Sequence, residues 1–503
     1  MKTIIKIILV FLPLMGSFAS TQDTIYVMSS GIVVYKKAIT DVDSISFENT
    51  LFNRKSIANI IAADKSYSIF YQGLVATGLV DSIKVDRDKS YYYDQYRNLL
   101  NPPFSQGSGS VDQLPHVRRY GFTVLMESDS VFTSHSINNL SDLQAYAATV
   151  YNSVYPEDAS ITDFTNRRNS LNRFIAYHII NKKLSVPMFI DAYDSPQMIK
   201  TVDLYEYLEP MCPNSLIEIK KERSTGLTNL INQSADTGEA IHIIKGSTNK
   251  DVYNGFYYGI DKIMAYDLKV ISQLSNKRLR FDMASLFPEL TNNNMRGYLG
   301  DKATDTKSWV FPKGYIDRLK TAEGTVFTYL NAFGGYLDYQ GDEVYFRGQY
   351  DFTFTTLPVP AGTYEVRLGY QPTGGRGIAE VYVDSMSVGP PIDYRIQATT
   401  PEIGYVTPNV SNLDDPYGYE NDKMMRNHGY MKGPASYKDI LGWWYERKIA
   451  RNSYLVLRKI LGTFRFSTAG SHKIAVKSLM TGQFMIDYIE FVPVSALENE
   501  DVN

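Results

Sequence analysis

Residues able to do acid–base, nucleophilic or metal chemistry are few in this 503-residue chain, and they are poorly grouped. The six histidines are His116, His135, His178, His242, His428 and His472. None has another histidine four residues away, so no helical zinc motif exists. Cys212 is the lone cysteine, which excludes an intramolecular disulfide and an all-cysteine zinc site. No phosphate-binding glycine loop followed by Lys-Ser/Thr occurs. Gly374-Gly375-Arg376-Gly377 does not fit a dinucleotide fingerprint and reads as a hairpin turn. Gly107-Ser108-Gly109 lacks the strand–turn–helix setting of a nucleophile elbow. A glycosidase needs two carboxylates at a defined separation. The 54 acidic residues leave that open, but no motif selects a pair. No catalytic residue, metal ligand or cofactor is assigned.

Binding chemistry is better represented. Tyr417, Tyr419, Tyr430, Trp443 and Trp444 gather in one long irregular stretch with Arg426. Aromatic faces stack on the apolar face of a pyranose, while Arg, Asn and Asp bond its hydroxyls. Long loops on a rigid scaffold are where binding concentrates. Adjacent residues on a strand point to opposite faces. One of Trp443 and Trp444 is therefore expected in the core, and exposure of the other is open. The 39 tyrosines are spread evenly over both halves, which fits β-rich packing better than a single aromatic site.

Charge narrows the partners. With 51 basic and 54 acidic residues the formal net charge is -3, which argues against a nucleic-acid surface. The 44% hydrophobic and 21% charged content is globular, and the length is consistent with several domains.

The elements that must position these residues follow in order. Residues 1–19 read as a secretory signal peptide, with Lys2 and Lys6 before a short apolar run and a small-residue site at Ser17-Phe18-Ala19. No lipobox cysteine follows, so the expectation is a secreted protein of the periplasm or cell surface, with no transmembrane segment. Residues 20–50 carry β-like stretches at 24–34 and 44–47. Ser56 is a helix cap, and a second helix ends at Gly78. A strand is predicted over 122–126, a helix over 171–180, and strands over 216–220 and 240–244. Asn254-Gly255 marks a tight turn. Residues 271–325 read as a connector. Short alternating runs between turns then predict a β-sandwich over 326–494, before an acidic tail at 495–503.

Three of these segments carry a resemblance. Phe122 to Phe132 looks like the strand-then-acidic-turn motif of fasciclin domains, with Met126 and Glu127 in place of its Ala-Pro. Tyr177-His178 matches the family's tyrosine–histidine motif. Asn254-Gly255 with Ile260-Asp261 resembles its closing motif, with Tyr258 where a histidine is usual. Residues 51–270 therefore resemble a fasciclin domain, an α+β extracellular adhesion module with no implied catalysis. The resemblance ties Tyr177 and His178 to fold integrity and, in some members, to receptor binding. A lone histidine on an apolar helix is more often a satisfied core group. The 326–494 region looks like an all-β galactose-binding-like (jelly-roll) sandwich, on Pro360 to Arg367, Val381 to Asp384 and Ile486 to Val492. The arrangement is similar to secreted fasciclin proteins of Bacteroidota.

The resulting expectation is a secreted, non-catalytic interaction protein whose partner is a glycan or a cell-surface protein. Tyr177, His178, Asn254, Gly255 and Asp261 form its fasciclin motif. Tyr417, Tyr419, Arg426, Tyr430, Trp443 and Trp444 are its glycan candidates. A protein–protein assembly subunit is the alternative, and a carbohydrate-active enzyme a third reading.

Overall fold

A computed structural model of the chain describes residues 24–29, 32–38, 55–92, 114–185, 207–220, 230–233, 240–244, 250–296, 308–330, 339, 342–409, 411–435 and 449–497. It divides into two compact units, Met1–Arg54 and Lys55–Asn503. In the first, Thr24–Ser29 pairs antiparallel with Ile32–Ala38. The signal-peptide reading and the 44–47 stretch lie outside the described residues, as does most of the acidic tail.

The second unit begins with helices whose boundaries follow local chemistry. Ser56 Oγ accepts the Asn59 N–H at 3.3 Å and starts the helix Ile57–Ala63. The helix Ser68–Ala76 stops where Gly78 turns left-handed at φ +70°, and Leu79 then buries its side chain. Helix Ser170–Tyr177 is shorter than the 171–180 expected. Its following Ile179–Ile180 pairs instead with Thr123 and Val124 as a sheet edge, where β-branched side chains fit better than in a last helical turn.

These helices cover a small mixed sheet in the order Ile179–Ile180, Phe122–Glu127, Gly255–Ile260, Lys250–Val252. Its centre is a parallel pair, with Gly255 opposite Phe122 and Ile260 opposite Glu127. Gly255 has φ +153°, and a Cβ there would lie 1.8 Å from the Phe122 carbonyl oxygen. Only glycine lets the two backbones approach this closely. A second sheet, Tyr207–Leu208, Ile217–Lys220, Leu230–Gln233 and Ala240–His242, is antiparallel.

The rest of the unit is sheet-rich and antiparallel. One five-stranded sheet runs Leu279–Asp282, Tyr488–Pro493, Gly362–Tyr370, Leu457–Phe466, Tyr430–Lys432. A four-stranded sheet runs Ser308–Phe311, Thr325–Leu330, Glu343–Gly348, Gly482–Ile486. A third is built on Leu319–Thr321, Asp351–Val359, Gly470–Ser478 and Ile378–Val383. Aromatics join them: Phe346 stacks on Phe352 at 3.5 Å, and Phe466 on His472 at 3.6 Å. Gly374-Gly375 forms the turn before Ile378–Val383, but not the hairpin expected there, because Gly362–Tyr370 before it belongs to the five-stranded sheet and Ile378–Val383 after it to the third.

The segment 271–325, expected as a connector, supplies strands to all three of these sheets. Leu279–Asp282 hides its identity because all four residues are buried, the charged Arg280 and Asp282 included. Arg280 Nε meets Glu490 at 2.7 Å, with Arg458 at 3.4 Å and Arg367 at 3.7 Å from the same carboxylate. Burial alone would raise the Glu490 pKa, but the three guanidiniums outweigh it and hold the carboxyl far below its ordinary range. Among the described residues no helix is long and apolar enough to cross a membrane.

Candidate functional site

The exposed aromatic surface on the sheet-rich region is built outward from a buried base. Arg451 and Lys432 are 5% and 1% exposed. Both face Asp422, Lys432 at 3.3 Å and Arg451 in a short contact. Arg451 also donates to the Tyr417 carbonyl at 2.8 Å, and Lys432 to the Gly418 carbonyl at 3.3 Å. Burial pulls the Lys432 amine down from its ordinary range, and Asp422 opposes that shift. Two buried cations thus pin the backbone on either side of the turn at Gly418, whose φ is +74°.

That turn opens the helix Tyr419–Asn427. Asp415 accepts the Tyr419 and Glu420 N–H groups at 2.7 and 3.0 Å, as a carboxylate does at a helix start. Tyr417 and Tyr419 stand out from this base, 60% and 44% exposed. Their rings lie 5.5 Å apart at 35°. Two tilted rings on a pinned turn form a preorganised hydrophobic platform with hydroxyl tips and losing little side-chain entropy on binding. Leu413 and Val406, 92% and 60% exposed, lie in the same stretch of chain.

The other expected glycan residues divide. Tyr430 is buried at 7% exposure, with the Lys459 amine 3.9 Å above its ring, so it packs beneath the surface and offers no stacking face. Its place on a strand beside Lys459 explains this. Burial lowers the Lys459 pKa to about 8. Arg426 lies on the helix but is engaged, bonding Glu365 at 2.5 Å and Met431 Sδ at 3.5 Å. Trp443 and Trp444 lie outside the described residues. Trp309, the third tryptophan, is 5% exposed and stacks on Tyr329.

The fasciclin-motif residues come together in the other half. Tyr177 and His178 end the helix Ser170–Tyr177, and both are fully buried. Tyr177 donates to the Leu216 carbonyl at 2.8 Å and meets Asn232. His178 Nδ1 faces the Phe174 carbonyl at 2.8 Å, so that nitrogen carries a hydrogen. Its Nε2 meets Glu127 Oε1 at 2.9 Å, and the same oxygen accepts the Met264 N–H at 2.8 Å. Asn254 accepts from the Ile57 N–H and donates to the carbonyls of Ile83 and Val85. Asp261 accepts the His242 N–H at 2.7 Å. Tyr177, His178, Asn254 and Gly255 are thus buried and tie strands to helices, whereas Asp261 is exposed and tethers the strand Ala240–His242.

A cavity of about 580 Å³ escaped sequence reasoning. It opens where 118–122 and 209–213 meet 286–292 and 317–318, residues far apart in the chain. No local pattern marks such a place. Arg118 forms its wall, bonded to Asp88, Glu289 and Asp317 at 2.9, 2.8 and 2.6 Å. Burial pushes the Glu289 carboxyl above its ordinary range, against the pull of hydrogen bonds and Arg118. Among the described residues no group of three or more His, Cys, Asp or Glu side chains is arranged to hold a metal.

No protein-family model matches the chain, and no curated protein matches it. Parts of it are similar to solved structures. A FAS1 domain pair from the insect cell adhesion molecule Fasciclin I is 11% identical over 42% of this chain and 51% of that one, with a TM-score of 0.23. A Paenibacillus xanthan lyase is 14% identical over 35% of this chain and 12% of that one, TM-score 0.19. The catalytic unit of a GH87 alpha-1,3-glucanase from Streptomyces thermodiastaticus is 14% identical over 36% of this chain and 26% of that one, TM-score 0.18. The chain thus spans about half or less of each, and likenesses this slight assign neither fold nor activity.

Proposed function

We propose that this is a secreted, non-catalytic interaction protein of fasciclin type, whose sheet-rich region is a galactose-binding-like sandwich that binds glycan. The observation that carries the glycan reading is the exposed Tyr417–Tyr419 pair, held by a buried Arg451–Asp422–Lys432 base. Pyranose rings offer apolar faces for such rings, and the hydroxyl tips bond sugar hydroxyls. The fasciclin reading is supported by convergence of the three marker segments. Phe122–Glu127 pairs in parallel with Gly255–Ile260, and His178 reaches Glu127 between them.

A second reading has its own observation. Leu413 and Val406 expose aliphatic side chains in the chain segment that leads into the aromatic pair, and exposed aliphatics suit a protein partner better than a sugar. Affinity electrophoresis through gels containing separate plant, bacterial and host polysaccharides separates the two. The expected result is retardation by at least one polysaccharide, lost in Tyr417→Ala/Tyr419→Ala. Free mobility in every gel would leave the protein-partner reading standing. Release of sugar from any of these polysaccharides, abolished by replacing one carboxylate, would replace both readings with an enzyme.

A further inference from the structure

The cavity at 118–122 and 286–292 has the chemistry of a second binding site, separate from the Tyr417–Tyr419 surface. Its volume of about 580 Å³ lies within the ~300–1,000 Å³ range of small-ligand pockets. Arg118, Arg119, Lys182 and Arg318 contribute cations, and Glu209, Glu289 and Asp317 contribute carboxylates. The signs nearly balance, which favours an uncharged occupant over an anion or a cation.

These charges are fixed before any ligand arrives. Arg118 is held by three carboxylates. Arg318 bonds Glu209 and donates to the Thr356 carbonyl at 2.8 Å. Lys182 donates to the Ser285 carbonyl at 2.6 Å. The residues of the wall therefore bring guanidinium and ammonium donors and carboxylate acceptors to one place. A hydroxyl is donor and acceptor in one group, so polyols suit a wall offering both.

The mouth adds the apolar element. Tyr120 is 37% exposed and lines the cavity, and Val85, Phe122, Leu286 and Leu357 lie along its walls. Beside Tyr120 stand the exposed Arg119 and Asp317, whose side chain is 69% exposed. An aromatic face flanked by a guanidinium and a carboxylate suits a pyranose, which has an apolar face and an equatorial rim of hydroxyls.

We infer that this cleft binds a short neutral saccharide, a mono- or disaccharide, with Tyr120 against a sugar face and the fixed charges of the wall around its hydroxyls. The inference does not depend on the Tyr417–Tyr419 platform.

The test is calorimetric titration of the intact chain with maltose, cellobiose, lactose and N,N′-diacetylchitobiose, with digalacturonate as a charged comparison. At least one neutral disaccharide is expected to bind. Ser82→Trp, which fills the cleft from a half-buried position, is expected to weaken that binding by at least about tenfold. Tyr120→Ala should weaken it while leaving thermal unfolding unchanged, which guards against a misfolded Ser82 variant. Tyr417→Ala/Tyr419→Ala should leave it intact. Absence of binding by all four neutral sugars would overturn the inference. So would binding that survives both cleft variants, binding lost only in the Tyr417/Tyr419 variant, or tighter binding of digalacturonate.

Discussion

Between His178 and Glu127 one hydrogen is shared at 2.9 Å, with both side chains fully buried. Removing one member of a buried ionisable pair strands the other, at a cost of about 3–5 kcal/mol. His178→Ala is therefore expected to lower the unfolding free energy in urea by about that much, with no loss of polysaccharide retardation by the folded protein. Unchanged stability with lost binding would instead make His178 a ligand-contacting group. The Tyr177-His178 pair was legible in the sequence, but its partner was not. Glu127 appeared only as a departure from the fasciclin pattern, and that departure is the residue the histidine bonds. Tyr258, the other departure, is likewise buried and donates to the Leu184 carbonyl at 3.0 Å. Tyr430 shows the reverse error: an aromatic in an apparently irregular stretch proved to be a strand residue. Sequence spacing cannot distinguish a stacking face from a packed one when the neighbouring strand is some 30 residues away.

The parallel pair of Phe122–Glu127 with Gly255–Ile260 depends on one glycine. At Gly255 a side chain would meet the Phe122 carbonyl oxygen, and the positive φ adds strain of roughly 1–2 kcal/mol. Gly255→Ala is expected to destabilise by at least about 3 kcal/mol, as its strands separate. Gly324→Ala, with φ +84° but open space around it, should cost only about 1–2 kcal/mol. Equal thermal-shift losses for the two would contradict the close-approach argument. Elements announced by turn and cap chemistry were the readable ones: Ser56 and Gly78 sit where their residue types predicted, while the tight turn expected at Asn254-Gly255 falls one residue earlier, on Tyr253-Asn254, with Gly255 already in the strand. The strands within 271–325 were not readable. Arg280 and Asp282 break the apolar pattern by which a buried strand is recognised, because they are buried as ion pairs.

At the scale of the molecule, that misread segment changes how the chain divides. Residues 279–282, 308–311 and 319–321 pair with strands lying beyond residue 324. A fragment of residues 326–503 is expected to lack a cooperative thermal transition, because three sheet edges lose their partners. A sharp transition in that fragment would show that the earlier strands are dispensable. The same dependence explains why the cleft escaped the sequence, since its walls come from segments some 200 residues apart. The proposed binding platform is more local, a pinned turn between Asp415 and Asp422, and its tyrosines were visible in advance. Its function is tested most directly by titrating a retarding polysaccharide into the wild-type chain and into Tyr417→Ala/Tyr419→Ala. The account predicts saturable binding by the first and a loss of at least about tenfold in affinity by the second, with unfolding unchanged. Equal affinity in the two proteins would contradict it.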